Sequence, residues 1–399
     1  GAVLAVLVAA ALWGDGAGRA HLPLAAALCL LWAGAPVWTW WASRPVPRCA
    51  GPALGAADLR YLQLVARDTW RYFERTVTAL DQHLPPDNLQ TTPQDMLAHR
   101  TSPTNIGLYL LSAACAQRFG WIGTQDLLAR LEATLATLLR LERHGGHFLN
   151  WYDTRTLLPL PPRYVSTVDS GNLCVHLLAV AQACTELACA PAARQLGRQA
   201  IVQSRRRLQP MLGLLPRLLH RPLAQTALGH LLAAEPMTPC EAPVSAHFHT
   251  LLQAAADELA SLPPTGHPSI VDHMPTAQDE LQWLLADHLA HWRSALSDQA
   301  AADAGGDPQL SNTTRRLQDL AIAFEALAWQ ADFRFLYHPR RHLLHIGYRP
   351  EGQLLDTACY DLLASESRST SLLAIAKGDA PVKHWAALGR PFFASGRHA

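Results

Sequence analysis

Apolar residues recur at a spacing of three and four along most of this chain, and that repeat constrains the fold more than any other feature. In residues 57–77 it places Leu59, Leu62, Trp70 and Phe73 on one stripe. A stripe with this period is typical of an α-helix that buries one face. Comparable patterns predict further helices over residues 102–120, 124–145, 169–187, 191–206, 221–234, 244–261, 275–298 and 310–330, with another that starts near residue 360.

One stretch, residues 333–349, alternates instead with a period of two and carries a turn at Pro339 to Arg341. It predicts a β-hairpin in an otherwise helical chain. No repeat of about 34 or 40 residues occurs, which argues against TPR and HEAT solenoids. Paired helices with long polar loops at one end fit an all-α fold, an (α/α)6 toroid whose inner helices direct their loops into a cleft. A generic helical bundle is the alternative.

The N-terminal end predicts a membrane-spanning helix. Residues 22–43 form a run of 22 residues without charge, and about 20 apolar residues suffice to cross a bilayer. Tryptophans at positions 38, 40 and 41 gather at one end of the run, as expected at a membrane interface. Arg44 and Arg48 follow them, and this positive charge predicts that the C-terminal side lies in the cytoplasm.

Residues 1–13 are also apolar, and they resemble the end of a second membrane span. A signal peptide is the alternative, but no charged n-region precedes the apolar run. We therefore expect membrane segments at residues 1–48 and one helical domain at residues 49–399.

Composition and motifs argue against several other classes of protein. Only 16% of the residues are charged, against about 25% in an average soluble domain, and the net charge is +1. No basic helix or RNP-like motif is present, so we expect no nucleic-acid partner. The eight cysteines include no CxxC pair and are interpreted as free thiols of a reducing compartment. No GxSxG, HExxH or P-loop motif occurs, and we expect neither a metal nor a cofactor.

Residues 150–172, NWYDTRTLLPLPPRYVSTVDSGN, mix aromatic, charged and amide side chains in one loop. Carbohydrate sites use this mixture, because sugars stack on aromatic faces while their hydroxyls need donors and acceptors. A buried aromatic anchor and a helix cap at Asp169 or Ser170 are the local alternatives. The candidate substrate-binding residues from this loop are Trp151, Tyr152, Asp153, Arg155, Asp169, Ser170 and Asn172.

Three further stretches concentrate polar residues, and the first two are LPPDN at residues 84–88 and AHRTSPTNIG at residues 98–107. Capping of the predicted helix by Thr101 or Ser102 explains only part of the second stretch. The candidates that it adds are His99, Arg100 and Asn105.

The third stretch, YDLLASESR at residues 360–368, adds Tyr360, Asp361 and Glu366. On a helix the two carboxylates are five residues apart, so they lie on different faces and need not cooperate. Glu366 lies in an apolar run, and apolar surroundings favour the protonated form of a carboxyl, which suits a general acid. The alternative is a solvated helix residue that pairs with a nearby cation.

Long motifs spread over the chain resemble those of one family. They are DTWRYFE, LPPDN, AHRTSPTNIGLYLLS, FGWIGT, LEATLATLLRL, HGGHFLNWYDT, PRYVSTVDSGNL, DFRFLY, IGYR, YDLLASESR, IAKGD and HWAALGRP. Together they resemble the middle region of the cyclic β-1,2-glucan synthases, and the hydrophobic end in WWASRP is similar to the membrane segments before that region. Residues 208–310 and the tail FFASGRHA depart from the family pattern and receive no role.

The resemblance implies a function for a larger parent protein. Members are multi-pass proteins of the bacterial inner membrane, with soluble domains on the cytoplasmic side. A glycosyltransferase domain builds linear β-1,2-glucan from UDP-glucose, and a phosphorylase-like module trims it. The middle region, a glucoamylase-like (α/α)6 toroid, closes the glucan into a ring by transglycosylation. The implied partners are β-1,2-glucan, the membrane and the other two domains.

The resemblance also implies roles for single residues. Glu366 matches the glutamate that members use as the catalytic acid. Their second carboxylate lies in a downstream Trp-Gly-x-Ser-Glu segment, which these residues do not contain. Retaining glycosidases need two carboxyls about 5 Å apart, so we expect an incomplete and inactive toroid domain. A non-catalytic, membrane-attached glucan-binding or scaffold module is the alternative.

Overall fold

The computed structural model describes residues 22–44, 54–90, 93, 96–189, 194–234, 246–262, 277–304, 312–361 and 366–389. The chain divides into two compact units, residues 1–64 and residues 65–399. The second membrane span, predicted from residues 1–13, lies outside the described residues.

The first unit contains helix α1, Leu22–Ala42, at the position predicted for a membrane span. Its large apolar side chains are exposed, for example Leu30 at 74%. The shorter stretch Ala26–Ala42 is apolar throughout. Among the described helices, Thr167–Cys189 in the second unit is the one long and apolar enough to cross a membrane, but core helices of soluble proteins also meet that criterion. A helix at the predicted position is thus confirmed, and its passage through a membrane stays a prediction.

The second unit is mostly helical, as the periodicity predicts. Helix α2, Ala56–Thr76, contains the division between the units. The helices that follow are α3 (Pro103–Arg118), α4 (Thr124–Leu138), α5 (Thr167–Cys189), α6 (Arg194–Leu208), α7 (Leu215–Leu219), α8 (Ala227–Ala234), α9 (Ala246–Ala260), α10 (Ala277–Ala304), α11 (Asn312–Trp329), α12 (Ser367–Lys377) and α13 (Lys383–Ala387). Helix α5 contacts α3, α11 and α12, and its buried Leu173, Leu177 and Val180 belong to one of two apolar cores.

Helices α6 to α10 surround the second core. Phe248 and the fully buried Trp292 lie at its centre, with ring centroids 4.7 Å apart. Residues 208–310, which received no role from the family pattern, therefore include a packed helical layer. Helix α10 joins this layer to the rest of the unit through contacts with α4.

The starts of α3 and α5 bear on the site. Ser102 caps α3, since its hydroxyl accepts from the Asn105 amide at 3.3 Å, as predicted. Helix α5 begins at Thr167, and the Ser166 hydroxyl accepts from the Asp169 amide at 3.2 Å. The prediction that Asp169 or Ser170 caps α5 is therefore wrong. The Asp169 side chain, in the first turn, is left for other contacts.

The predicted hairpin at residues 333–349 is present but shorter. Strand β8, Tyr337–His338, pairs antiparallel with β9, Leu343–Leu344, around the predicted turn. Strand β10, Gly347–Arg349, pairs with β11, Leu354–Leu355, and with β7, Val165–Ser166. This three-stranded sheet holds the segment before Tyr360 against the start of α5.

The helix predicted to reach residue 145 ends at Leu138. Strand β4, Arg143–His144, and strand β5, His147–Phe148, form a hairpin beyond it. Gly145 and Gly146 make its turn with φ of 57° and 82°, a conformation that favours glycine. A Cβ on Gly146 would lie 2.0 Å from the Gln330 carbonyl oxygen, so this turn also packs closely on the chain after α11.

The remaining strands are short. Strand β1, Leu89–Gln90, pairs with β2, Met96–Leu97, and strand β3, Arg100–Thr101, pairs with β6, Tyr152–Asp153. The helix predicted to start near residue 360 begins instead at Ser367, so Tyr360 and Asp361 precede it.

Candidate functional site

The candidate residues lie where α3 and α5 begin and the short strands meet. Strand β3 leads into α3, and strand β7 leads into α5. The pairing of β3 with β6 places Arg100 directly opposite Asp153. The two polar loops that the sequence singled out therefore meet at the N-terminal ends of two helices that pack against each other.

Arg100 and Trp151 form a flat, partly exposed surface. The Arg100 guanidinium lies 4.7 Å from the centroid of the Trp151 ring. Asp87 holds it there, because one carboxylate oxygen accepts from Arg100 Nη2 at 3.0 Å. The other oxygen accepts from Asn105 Nδ2 at 3.1 Å. Asp87 was not among the predicted site residues, although its motif LPPDN was singled out as polar.

His99 and Arg155 lie beside this surface. The Asp81 carboxylate, 3% exposed, lies 2.7 Å from His99 Nδ1. Arg155 Nη2 lies 2.8 Å from His99 Nε2. Arginine is a donor only, so His99 Nε2 accepts the hydrogen bond from Arg155. The ring proton is then on Nδ1, which donates to the Asp81 carboxylate. The imidazole is thereby fixed in one orientation and holds the exposed guanidinium of Arg155.

Asp153 and Tyr152 support the loop more than they face solvent. One Asp153 oxygen accepts from the Thr156 amide at 2.7 Å and the Arg155 amide at 2.9 Å, and the first of these bonds is the main reason that the pKa of Asp153 is lowered. Tyr152 is fully buried, and its hydroxyl donates to the Glu142 carbonyl at 2.5 Å. Successive side chains of a strand point to opposite faces, so Tyr152 enters the core while its neighbours stay near the surface.

Asp169 lies at the centre of the polar contacts. Its Oδ1 accepts from the Thr104 hydroxyl at 2.6 Å. With the Asn150 amide oriented to satisfy both of its ends, the amide nitrogen donates to Asp169 Oδ2 at 3.0 Å and its oxygen accepts from Trp151 Nε1 at 2.9 Å. Both carboxylate oxygens of Asp169 are therefore engaged, and Asp169 is linked through Asn150 to the aromatic surface.

Tyr360 and Glu366 bring the third polar stretch to the same place. Burial, followed by the negative charges of Asp169 and Glu366, raises the pKa of Tyr360 to about 12. Asp169 and Glu366 therefore both contribute to the electrostatic surroundings of the Tyr360 phenol. The Glu366 side chain is exposed and not enclosed by the apolar run, and Asp361 is partly buried beside Tyr360.

Asn172 and Ser170 behave differently from each other. Asn172, one residue beyond Gly171 in α5, accepts from the Ser369 hydroxyl at 3.1 Å and so contacts the start of α12. Ser170 is 3% exposed and lines a small internal cavity with His147 and Cys174. Ser170 therefore does not share a surface with Trp151, because the helix turns its side chain into the core.

The site thus combines a flat aromatic and guanidinium surface, several fixed amides and the hydrogen-bonded carboxylates of Asp87 and Asp169. Such a set can stack on a sugar face and bond its hydroxyls. Sequence reasoning missed four residues that hold the set together, namely Asp87, Thr104, Asn150 and Ser369. Composition gave a signal for Asp87, Thr104 and Asn150, whose stretches are rich in polar residues, whereas Ser369 lies one residue beyond the third polar stretch.

The chain is similar to a cyclic β-(1,2)-glucan synthase, NdvB of Rhizobium meliloti (strain 1021). The identity is 42% over 373 residues, which cover 91% of this chain and 13% of that synthase. The resemblance predicted from the motifs is thus confirmed, and the chain spans a small part of that relative's length. No family model matches the chain.

A solved structure of a proposed glucoamylase from Bacteroides fragilis NCTC 9343 shares 12% identity with the chain. It covers 85% of this chain and 51% of its own length, with a TM-score of 0.40. A likeness this distant carries no argument about fold or function.

Proposed function

We propose, from the 42% identity to a segment of a cyclic β-(1,2)-glucan synthase, that this site binds β-1,2-glucan and acts in closing it into a ring. The observation that carries the proposal is that Asn150 links the Asp169 carboxylate to Trp151, whose ring lies against the Arg100 guanidinium. An aromatic platform next to an acid is the arrangement that a transglycosylase needs, because the sugar must be held while its glycosidic bond is protonated.

In this proposal Glu366 is the general acid. This assignment rests on the resemblance of YDLLASESR to the family motif and on the accessibility of the exposed Glu366 side chain to a substrate. The two oxygens of Asp169 accept hydrogen bonds from Thr104 and Asn150. We assign Asp169, which these hydrogen bonds hold in one orientation, to substrate orientation. The second catalytic carboxylate would come from a Trp-Gly-x-Ser-Glu segment outside these 399 residues, so we expect these residues alone not to transglycosylate.

The rival function is glucan binding without chemistry. The aromatic and guanidinium surface favours it, since stacking and hydrogen bonding hold a sugar without a catalytic acid. The two functions differ in one result. Replacement of Glu366 abolishes ring closure if the site is catalytic and leaves glucan binding intact under both hypotheses.

The wider assembly follows from the same proposal. The helices of the second unit would form part of an (α/α)6 toroid, with the polar loops at its open end. The glycosyltransferase and phosphorylase-like domains of the parent chain would supply and trim the linear glucan. The parent would be a multi-pass protein of the bacterial inner membrane with this domain in the cytoplasm.

Replacement of Trp151 tests the binding surface. We expect Trp151→Ala to weaken binding of linear β-1,2-glucan about tenfold, because a lost aromatic contact costs about 1.4 kcal/mol. Trp151→Phe keeps an aromatic face and should lose less. The control is Phe119→Ala, which removes an exposed ring at the opposite end of α3. Calorimetric titration measures all three, and equal affinities for Trp151→Ala and Phe119→Ala would remove Trp151 from the site.

Reporter fusions test the membrane topology. After Arg48, a reporter that works in the cytoplasm should be active and a reporter that works in the periplasm should be inactive. The reason is that α1 would cross the bilayer with its arginine-flanked end in the cytoplasm. A fusion after Ala20, before the uncharged run, serves as the control and should report the opposite side. The same side for both fusions would contradict a span at residues 22–43.

A further inference from the structure

Hydroxyl and amide groups join the two halves of the candidate site. The Ser369 hydroxyl in α12 donates to Asn172 Oδ1 in α5 at 3.1 Å. Asn172 Nδ2 in turn donates to the Thr104 hydroxyl in α3 at 3.4 Å. The Thr104 hydroxyl then donates to Asp169 Oδ1 at 2.6 Å. Three helices are thus joined by one chain of side-chain hydrogen bonds.

The hydrogen bonds in this chain of side chains all run in one direction. A carboxylate only accepts, so Thr104 must use its one proton on Asp169. The lone pairs of Thr104 are then left for the Asn172 amide nitrogen, which turns the amide oxygen toward Ser369. Every proton therefore points toward Asp169, and hydrogen bonds aligned in this way polarise and strengthen one another.

At Ser369, the hydrogen-bond chain reaches the backbone of Glu366. Glu366 directly precedes α12 and occupies its N-cap position without a capping side-chain bond. Its carbonyl oxygen accepts from the Ser369 hydroxyl at 3.3 Å. Ser369 has one proton, which it shares between Asn172 Oδ1 and the Glu366 carbonyl, so the two acceptors lie within reach of the same hydroxyl.

A separate contact seats α12 on α5 at the same level. A Cβ on Gly171 would lie 2.0 Å from the Thr370 hydroxyl oxygen and 2.4 Å from its Cβ. A side chain at position 171 would clash with Thr370, so the glycine allows the first turn of α12 to lie closer to α5. Thr370 is fully buried in this contact. Close packing at Gly171 and the hydrogen bond at Asn172 fix the same turn from adjacent positions.

We propose that Thr104, Asn172 and Ser369 are positioning residues, which hold Glu366 at a fixed place relative to Asp169 and the Trp151 surface. This inference rests on the proposed function, since it assigns a purpose to the position of Glu366. The hydrogen-bond chain connects Glu366 to the Trp151 surface, where the sugar would lie. The distance between the bound glucan and the proton donor would thereby stay fixed.

The test uses the full-length protein that contains these residues. Thr104→Val and Ser369→Ala each remove one hydroxyl, and Thr104→Ser and Ser369→Thr restore it. We expect the first pair to lower kcat for ring closure about tenfold or more with KM for linear glucan within about twofold, because a misplaced acid slows the chemical step. The restoring pair should stay within about twofold of wild type. The matched control is Thr185→Val, whose hydroxyl donates only within α5, to the Ala181 carbonyl at 3.1 Å.

Rate losses that are not additive in a double variant would show that the residues act through one hydrogen-bond chain and not independently. The double variant Thr104→Val with Ser369→Ala should be no slower than the slower single variant, because either change breaks the same chain. Fold-changes that multiply would overturn the proposal. Hydrogen exchange gives a second readout, in which amides of α12 should exchange faster in Thr104→Val but not in Thr185→Val.

The remaining outcomes also decide the question. Ring closure within about twofold of wild type in both Thr104→Val and Ser369→Ala would overturn the positioning role, even if Glu366→Gln were inactive. An active Glu366→Gln would instead overturn the proposed function. If Thr104→Val failed to fold, the partly exposed Ser369→Ala with its Ser369→Thr control would carry the test alone.

Discussion

Glu366→Gln should abolish ring closure by the full-length protein while synthesis of linear glucan continues. A glutamine keeps the size and the hydrogen-bonding edge of the side chain but has no acidic proton to transfer to the leaving oxygen. Loss of a general acid typically costs about 10²–10⁴-fold in rate. The product ratio of cyclic to linear glucan, measured on glucan synthesised from UDP-glucose, reports this step apart from chain synthesis.

Glu325→Gln is the matched control for that experiment. Glu325 is an exposed glutamate of α11, in a helix position whose neighbours Phe324 and Leu327 are buried. The same chemical change there should leave the product ratio at the wild-type value. Cyclic product within a few-fold of wild type in Glu366→Gln would remove Glu366 as the acid, and intact glucan binding with no cyclisation would reject the purely binding role.

Arg67→Ala should be the most destabilising single change outside the apolar cores. Arg67 is 5% exposed, donates to Glu74 at 2.8 Å and pairs with Asp287 of α10. Burial by itself lowers the pKa of Arg67, but the charges of Asp287 and Glu74 outweigh it, so the pKa is raised and the guanidinium stays charged. Alanine leaves the buried Asp287 without its cation, and breaking a buried pair in this way costs about 3–5 kcal/mol.

Urea unfolding of the purified protein measures that cost. Arg118→Ala is the control, because Arg118 pairs with Glu186 where the two side chains are 51% and 49% exposed. Exposed pairs contribute less than about 1 kcal/mol, so the two variants should differ severalfold in the free energy of unfolding that they lose. Equal losses would contradict a structural role for the Arg67 cluster. A large loss would also show that the layer at residues 208–310 is integral to the domain, since Asp287 lies within it.

Local features were readable from the sequence because their causes lie within a few residues. The apolar stripe predicted α2 from residues 57–77, and Ser102 was recognised as a cap because its bond to the Asn105 amide spans three positions. The turn at Pro339 to Arg341 likewise marked the hairpin of β8 and β9. Errors arose where a local pattern had two interpretations, as at Gly145, where a helix end and a hairpin turn both favour glycine.

The motifs also predicted the similarity to a cyclic β-(1,2)-glucan synthase and selected several residues of the candidate site. Arg100, Asn105, Trp151 and Asp169 were selected because polar and aromatic residues rarely gather in a loop without a ligand. Sequence alone could not separate them from Tyr152 and Ser170, which share their motifs but point into the core. That separation depends on strand and helix phase, and a shift of one residue reverses the direction of a side chain in a strand.

Only the tertiary structure decided which distant residues meet. Thr104 and Asp169 are 65 positions apart, Asn172 and Ser369 are 197 apart, and Arg67 and Asp287 are 220 apart. The sequence determined the helices, the polar loops and the similarity of the chain to a cyclic β-(1,2)-glucan synthase, because these depend on neighbouring residues. The pairing of Asp87 with Arg100 and the hydrogen bonds among Thr104, Asn172 and Ser369 depend instead on how distant segments of the chain pack. A hydrogen bond between distant side chains leaves no periodic trace along the chain.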